Sequence, residues 1–154
     1  SDRGPDSAGI ALYARPEAGR VKITVQSADP DGDFPELAKE LSARIGAPVD
    51  MGRKDSHAVL RLPAEALPPA RAALADLRPG VRVMSTGEGI EIYKEVGLPR
   101  DVVRRFGIAQ AAGTHGIGHT RMATESAVTT RGAHPFSTGP DQCLVHNGSL
   151  SNHN

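Results

Sequence analysis

Tryptophan is absent from this 154-residue chain, aromatic residues make up 3% of it, and it has one cysteine. So few aromatic faces leave nothing on which successive bases of a single-stranded nucleic acid would stack. The lone Cys143 excludes an internal disulfide framework. An excess of one charge is lacking as well: 18 Lys and Arg offset 18 Asp and Glu, so composition writes no polyanion-binding surface. No apolar run approaches the roughly 18 residues that a membrane-spanning helix requires, and the N-terminus carries no signal pattern. These absences lead us to expect a soluble, cytoplasmic protein, long enough for one domain or two small ones and for a buried core.

Both ends read as cuts. The chain opens without an initiator Met inside a dense turn motif, SDRGPDSAG, and stops at Asn154 just after the turn chemistry of NGSLSN. We expect a longer polypeptide, with essential chemistry outside this stretch.

Three textures follow one another. Residues 1–14 combine a Gly/Pro/Asp turn with a short apolar strand, Ile10 to Tyr13. Residues 15–85 are charged, alanine-rich and regularly patterned. Residues 86–154 hold five of the six histidines. In the middle section RVKITVQS alternates Val21, Ile23 and Val25, the pattern of a half-buried strand. DFPELAKELSARIG places Phe34, Leu37, Ala38, Leu41 and Ile45 at helical spacing, with Gly46 as the stop. PVDMGRKDSHAVLRLP gives two strands around a GRKDS turn. LPPARAALADLRPG gives a second helix whose first turn holds Pro68 and Pro69, and VRVMS a last strand. The order β-α-β-β-α-β predicts a ferredoxin-like split unit, which by itself decides no function. Lys54, Asp55 and His57 read as a solvated hairpin turn, and the unit as an insertion with a regulatory or docking role. Beyond it, GEGIEIYKEVG predicts a strand with Ile90 and Ile92 alternating. LPRDVVRRFGI predicts a short helix from Pro99 to Phe106, and AVTTRGAHPFSTGPDQ a loop.

The histidines invite a metal reading. His115 and His119 are four apart, but Gly113, Gly116 and Gly118 argue against a helix there. In a strand the two share a face, without an Asp, Glu or Cys at ligand spacing. We expect no metal. Cys143 lies on the apolar strand QCLVHN, the setting of a small buried hydrophobe and not of a thiolate nucleophile. Arg121, in GHTRMAT, has a planar fork suited to a carboxylate, with Thr120 and Thr124 as hydroxyl neighbours; a surface ion pair is the plainer alternative. Asn147-Gly148 is a hairpin corner or, equally, an amide side chain and a bare N–H aimed at one point, as in an oxyanion hole.

In series, DRGPDSAG, GIGHTRMAT, HPF and LVHNGSLSNHN resemble the class II glutamine amidotransferases, a branch of the N-terminal-nucleophile hydrolases. The resemblance covers 1–14 and 86–154. It implies an α+β fold, the αββα sandwich of that superfamily, carrying the inserted βαββαβ unit of 15–85. It also implies roles. Arg121 would pair with the α-carboxylate of glutamine, and Thr124 and His134 would line the same pocket. Asn147 and the Gly148 N–H would stabilise the tetrahedral oxyanion, and Arg3 would support the nucleophile's loop.

One departure matters. The family's nucleophile is a cysteine at the mature N-terminus, whereas position 1 here is Ser1, inside the DRGPD motif. About thirty residues, usually opening Cys-Gly-Ile, are expected upstream, and an acidic residue that binds the substrate amine beyond Asn154. The fragment alone is therefore expected to be inactive, and Cys143 is no substitute. The insertion resembles that of the stand-alone amidotransferase subunits related to glutamate synthase, including the subunit of N-methylglutamate synthase. This implies no cofactor in the chain itself, and partner synthase subunits that accept ammonia and carry flavin and iron–sulfur clusters. A non-catalytic glutamine-binding or scaffolding module is the main rival reading, and a metal-dependent hydrolase the third.

Overall fold

The computed structural model describes residues 7–122 and 128–146. Its middle section builds β2 (Arg20–Gln26), α1 (Pro30–Asp33), α2 (Leu37–Ile45), β3 (Asp50–Lys54), β4 (His57–Pro63), α3 (Leu67–Leu77) and β5 (Arg82–Gly87). The four strands make one antiparallel sheet in the order β3-β4-β2-β5. Strands β2 and β3, joined through the helices, are parted by β4, which is the split βαββαβ order. One face of the sheet packs on α2 and α3 through Ile23, Leu41, Leu60 and Leu74, all buried. Each such side chain contributes about 1.5–3 kcal/mol on burial, before conformational entropy is subtracted.

The helical pattern from Asp33 does not run unbroken. Asp29 caps the single turn α1 by accepting from the Gly32 N–H at 3.2 Å, and Glu36 turns to a φ of 59° before α2 starts. Pro35 has no N–H to continue the first helix, so the periodic stretch is split.

A second antiparallel sheet has the order β6-β1-β7, from β1 (Ser7–Tyr13), β6 (Ile90–Val96) and β7 (His115–Arg121). The alternation expected of a half-buried β2 fails because its second face is covered: Thr24 and Gln26 are buried as well as Val21, Ile23 and Val25. Strand β6 is likewise buried at five consecutive residues, Ile90 to Lys94. Between the sheets Glu91 accepts from Lys22 at 3.0 Å and from the Tyr93 hydroxyl at 3.0 Å, with Arg61 at 3.8 Å. These bonds let polar residues lie where the sequence pattern calls for apolar ones.

His57 corrects the reading of a solvated turn. It is fully buried, its ring 4.6 Å from that of Phe106 and 5.8 Å from that of Tyr93. Ser56 lies 3.0 Å from Nδ1, and Nε2 accepts weakly from the Lys94 N–H at 3.5 Å. Burial, then the Lys94 charge, pushes the imidazole down to about 3, so it is neutral. Only Asp55 behaves as a turn residue, at a φ of 54°.

Helix α4 (Pro99–Arg105) packs Val102 against β1 and β6 and ends before Gly107, whose φ is 61°. The stretch expected to be a loop contains β8 (Phe136–Gly139), paired antiparallel with β9 (Gln142–Leu144). The hairpin is fastened by Asp141, whose carboxylate accepts from the N–H groups of Glu88 (2.7 Å), Gly89 (2.8 Å) and Ile90 (3.0 Å). Burial alone would raise that carboxyl, but the three N–H groups and Lys22 outweigh it and hold it below the usual range. The architecture is mixed α and β with antiparallel sheets, compatible with the α+β class. Among the described residues no helix is long and apolar enough to cross a membrane.

Candidate active site

The glycine-rich stretch that argued against a helix forms the strand β7. A period of two puts His115, His119 and Arg121 on one face of it. Register extends that face across the sheet, since Gly9 lies opposite both His119 and Lys94, and Ser7 opposite Arg121.

The segment 132–136 crosses this face. Gly9 is what admits it: a β-carbon there would overlap the His134 carbonyl oxygen and come within 2.7 Å of the Lys94 β-carbon. The His134–Pro135 peptide is cis. Lys94 holds the segment from below, donating to the carbonyls of Ala133 at 2.8 Å and Pro135 at 3.1 Å. Its Nζ also lies 4.4 Å from the Phe136 ring centroid. Burial pushes this ammonium down to about 8. Arg121 Nη1 donates to the Gly132 carbonyl at 3.3 Å, tying β7 to the same segment.

The His134 ring lies 4.6 Å from that of His119 and 4.4 Å from that of Phe136. Burial first, then the charges of His119, Arg121, Lys94 and His146, hold His134 below the ordinary histidine range, so it is neutral near pH 7. The Nδ1 atoms of His119 and His134 are buried and find no hydrogen-bond partner among the described residues. Such atoms are costly to leave unpaired; the Ser7, Thr24 and Ser85 hydroxyls share that state, but only the two imidazoles meet each other. A guanidinium beside a neutral imidazole with an unspent ring nitrogen can grip a carboxylate and accept or donate one further hydrogen bond.

Of the expected site residues, Arg121 and His134 are brought to one face. Thr124, Asn147, Gly148 and Arg3 lie outside the described residues. His115 and His119 share a face but not a partner, since four residues of strand separate them by about 13 Å. His115 stacks on Tyr13 at 4.3 Å while His119 meets His134. Among the described residues no group of three or more His, Cys, Asp or Glu is gathered as metal ligands. Cys143 lies half-buried on β9, packed near Ile90 and Ile92, with Sγ accepting from the Tyr13 hydroxyl at 3.4 Å. Burial, then this bond and the charges of Cys143 and Asp141, push the Tyr13 hydroxyl up to about 12.

Sequence reasoning missed Lys94 and the structural use of Gly9. Lys94 shares the period-two face of Ile90 and Ile92, and the crossing segment covers it there. The partnership of His119 with His134 had no local signal, because fifteen residues separate them in the chain.

No protein-family model matches the chain. Curated relatives do. Over its whole length the chain is 60% identical to the glutamine amidotransferase-like protein GlxB of Rhizobium meliloti, covering 51% of that protein. It is 32% identical over 161 residues to a protein of Methanothermobacter thermautotrophicus named "Putative glutamine amidotransferase", covering 53% of it. A shorter match, 41% identical over 81 residues and 48% of this chain, is to the isomerizing glutamine–fructose-6-phosphate aminotransferase of Methanosarcina acetivorans, 12% of which is covered. The chain spans about half the length of the first two relatives. These likenesses support a glutamine amidotransferase family for it.

Proposed function

We propose that the full-length protein is a class II glutamine amidotransferase that hydrolyses glutamine to glutamate and ammonia. The observation that carries this reading is the convergence of Arg121 and His134 on one face, over the strand that begins at SAG. The motif series and the amidotransferase names of the relatives support it. Arg121 pairs with the substrate α-carboxylate through a bidentate fork, and neutral His134 hydrogen-bonds in the same pocket together with Thr124. The thiol of an N-terminal cysteine, not Cys143, adds to the side-chain amide carbon. The amide oxygen becomes an oxyanion received by Asn147 and the Gly148 N–H. Collapse of the intermediate expels ammonia, the leaving nitrogen taking up a proton, and leaves a glutamyl thioester. Water cleaves the thioester to glutamate and free thiol. Arg3 holds the loop beside the nucleophile.

The same reading assigns residues 1–14 and 86–154 to an αββα core of the N-terminal-nucleophile type, with 15–85 as an inserted unit. The aminotransferase match spans about half of this chain, the extent expected of relatives without such a unit. The protein works in the cytoplasm beside synthase subunits, of N-methylglutamate or glutamate synthase type, that carry flavin and iron–sulfur clusters and receive the ammonia. The chain itself carries no cofactor. A glutamine-mimicking diazoketone tests the site directly. It should alkylate one N-terminal cysteine of the full-length protein, with glutamine protecting. Labelling of Cys143, or no labelling, would contradict the assignment.

A further inference from the structure

A cavity of about 770 Å³ opens beside the Arg121 face, between β5 and the 129–137 segment. Arg82 and Arg131 line it from opposite elements, with the hydroxyl residues Thr129 and Ser137, and Lys94 closes its inner wall. The same Arg82, Thr129 and Arg131 also line a second cavity of about 330 Å³. Arg71 lines a third, of about 340 Å³, which shares Ser137 with the first; it is also lined by Ser85, whose buried hydroxyl has no partner among the described residues. Among the described residues no carboxylate lines any of the three. Glu95, which accepts from Thr130, is already engaged by Ser56 at 3.3 Å and by Arg105 at 3.6 Å.

Arg20, Arg44, Arg53, Arg78 and Arg105 have carboxylate partners, whereas Arg71, which lines the third cavity, has none among the described residues, nor do Arg15, Lys54 and Arg100. Arg82 and Arg131 have no ion pair among the described residues. Both are exposed, and two guanidinium groups without carboxylate partners on opposite sides of one concave space make it attractive to an anion. The volume is that of a small-molecule site.

We propose that this cavity binds a small organic dianion, a phosphate monoester or a dicarboxylate, held between Arg82 and Arg131 with hydroxyl bonds from Thr129 and Ser137. Guanidinium forks suit both anions, and a dianion satisfies two of them at once. Gly132 lines the same cavity and gives its carbonyl to Arg121, so an occupant braces the segment that Arg121 grips. The site adjoins the proposed glutamine pocket, sharing the Gly132 and Phe136 segment, and its test reads anion binding, not glutaminase activity.

The test is calorimetric titration of the full-length protein at low ionic strength with glycerol 3-phosphate and with succinate, glycerol serving as the neutral control. One dianion should bind saturably, one per chain, and the tighter arm identifies the class. Arg82→Gln and Arg131→Gln should each weaken binding at least about tenfold, the loss expected for a charge-assisted hydrogen bond. Arg44→Gln, on the far helix layer, should leave it unchanged. Absence of saturable binding, affinity retained in both cavity variants, or an equal loss in Arg44→Gln would each overturn the proposal.

Discussion

The carbonyl of His134 occupies the space that a β-carbon on residue 9 would need, so strand β1 and the His-Pro segment are in backbone contact at Gly9. A methyl group there must push the segment off the sheet, taking with it the Gly132 carbonyl that Arg121 holds. Gly9→Ala should cost at least the about 1–3 kcal/mol typical of overpacking and lower glutaminase turnover in the protein that still folds. Melting temperature and glutamate release, measured on the same full-length preparation, check this. Unchanged values of both would mean the segment does not depend on the contact.

Glu91 is the joint between the two sheets, and it is nearly inaccessible to water. Removing one partner of a buried ion pair strands the other, so Glu91→Ala should destabilise by about 3–5 kcal/mol. Lys22→Met combined with Glu91→Leu should recover a large part of that loss. Urea denaturation midpoints of the three proteins decide it, and a double variant no better than Glu91→Ala would refute the joint.

His57 makes the fold acid-sensitive. Its folded value is about 3 against an ordinary 6.5, so the unfolded chain takes up a proton that the folded one refuses as pH falls through that window. Stability should therefore decline from about pH 6.5 downward, by up to about 1.4 kcal/mol per pH unit from this residue. Asp141 adds to the decline at lower pH, because its depressed carboxyl stabilises the fold above the unfolded value and loses that contribution on protonation. His57→Phe should flatten the melting profile between pH 6.5 and 4.5. An unaltered slope would remove His57 from the account.

Much of the fold was legible. Patterning located the strands and both long helices of the middle section, although Thr24, Gln26, His57, Ser85 and Thr86 on those strands are buried. The failures share a cause. β6 and the second face of β2 are buried through Glu91, Lys22 and Lys94, whose charges are satisfied internally and so read as surface. β8 was hidden by Pro, Ser, Thr and Gly, which signal a turn whether or not a partner strand waits. The site was legible only as a series of motifs. The meeting of His119 with His134, and the cationic cavity behind them, arise from contacts between distant segments that no local pattern records.

Arg121→Lys keeps the charge but loses the fork. In the proposed role the substrate carboxylate is held in both the ground and transition states, so KM for glutamine should rise more than kcat falls. Steady-state kinetics of the full-length variant would show it, whereas an unchanged KM would return Arg121 to a structural tie on the Gly132 carbonyl.

The central claim is that this face completes a glutaminase, and Asn147 separates chemistry from architecture most cleanly. Its amide is proposed to meet an oxygen that is fully charged only in the tetrahedral intermediate, an interaction that lowers the barrier without tightening the ground state. The decisive measurement is single-turnover glutamate release by full-length Asn147→Ala, with melting temperature recorded on the same sample. A rate lower by about 100- to 1,000-fold at near-normal KM and melting temperature is the predicted result. A lowered melting temperature with a normal rate would make HNG a turn and contradict the assignment.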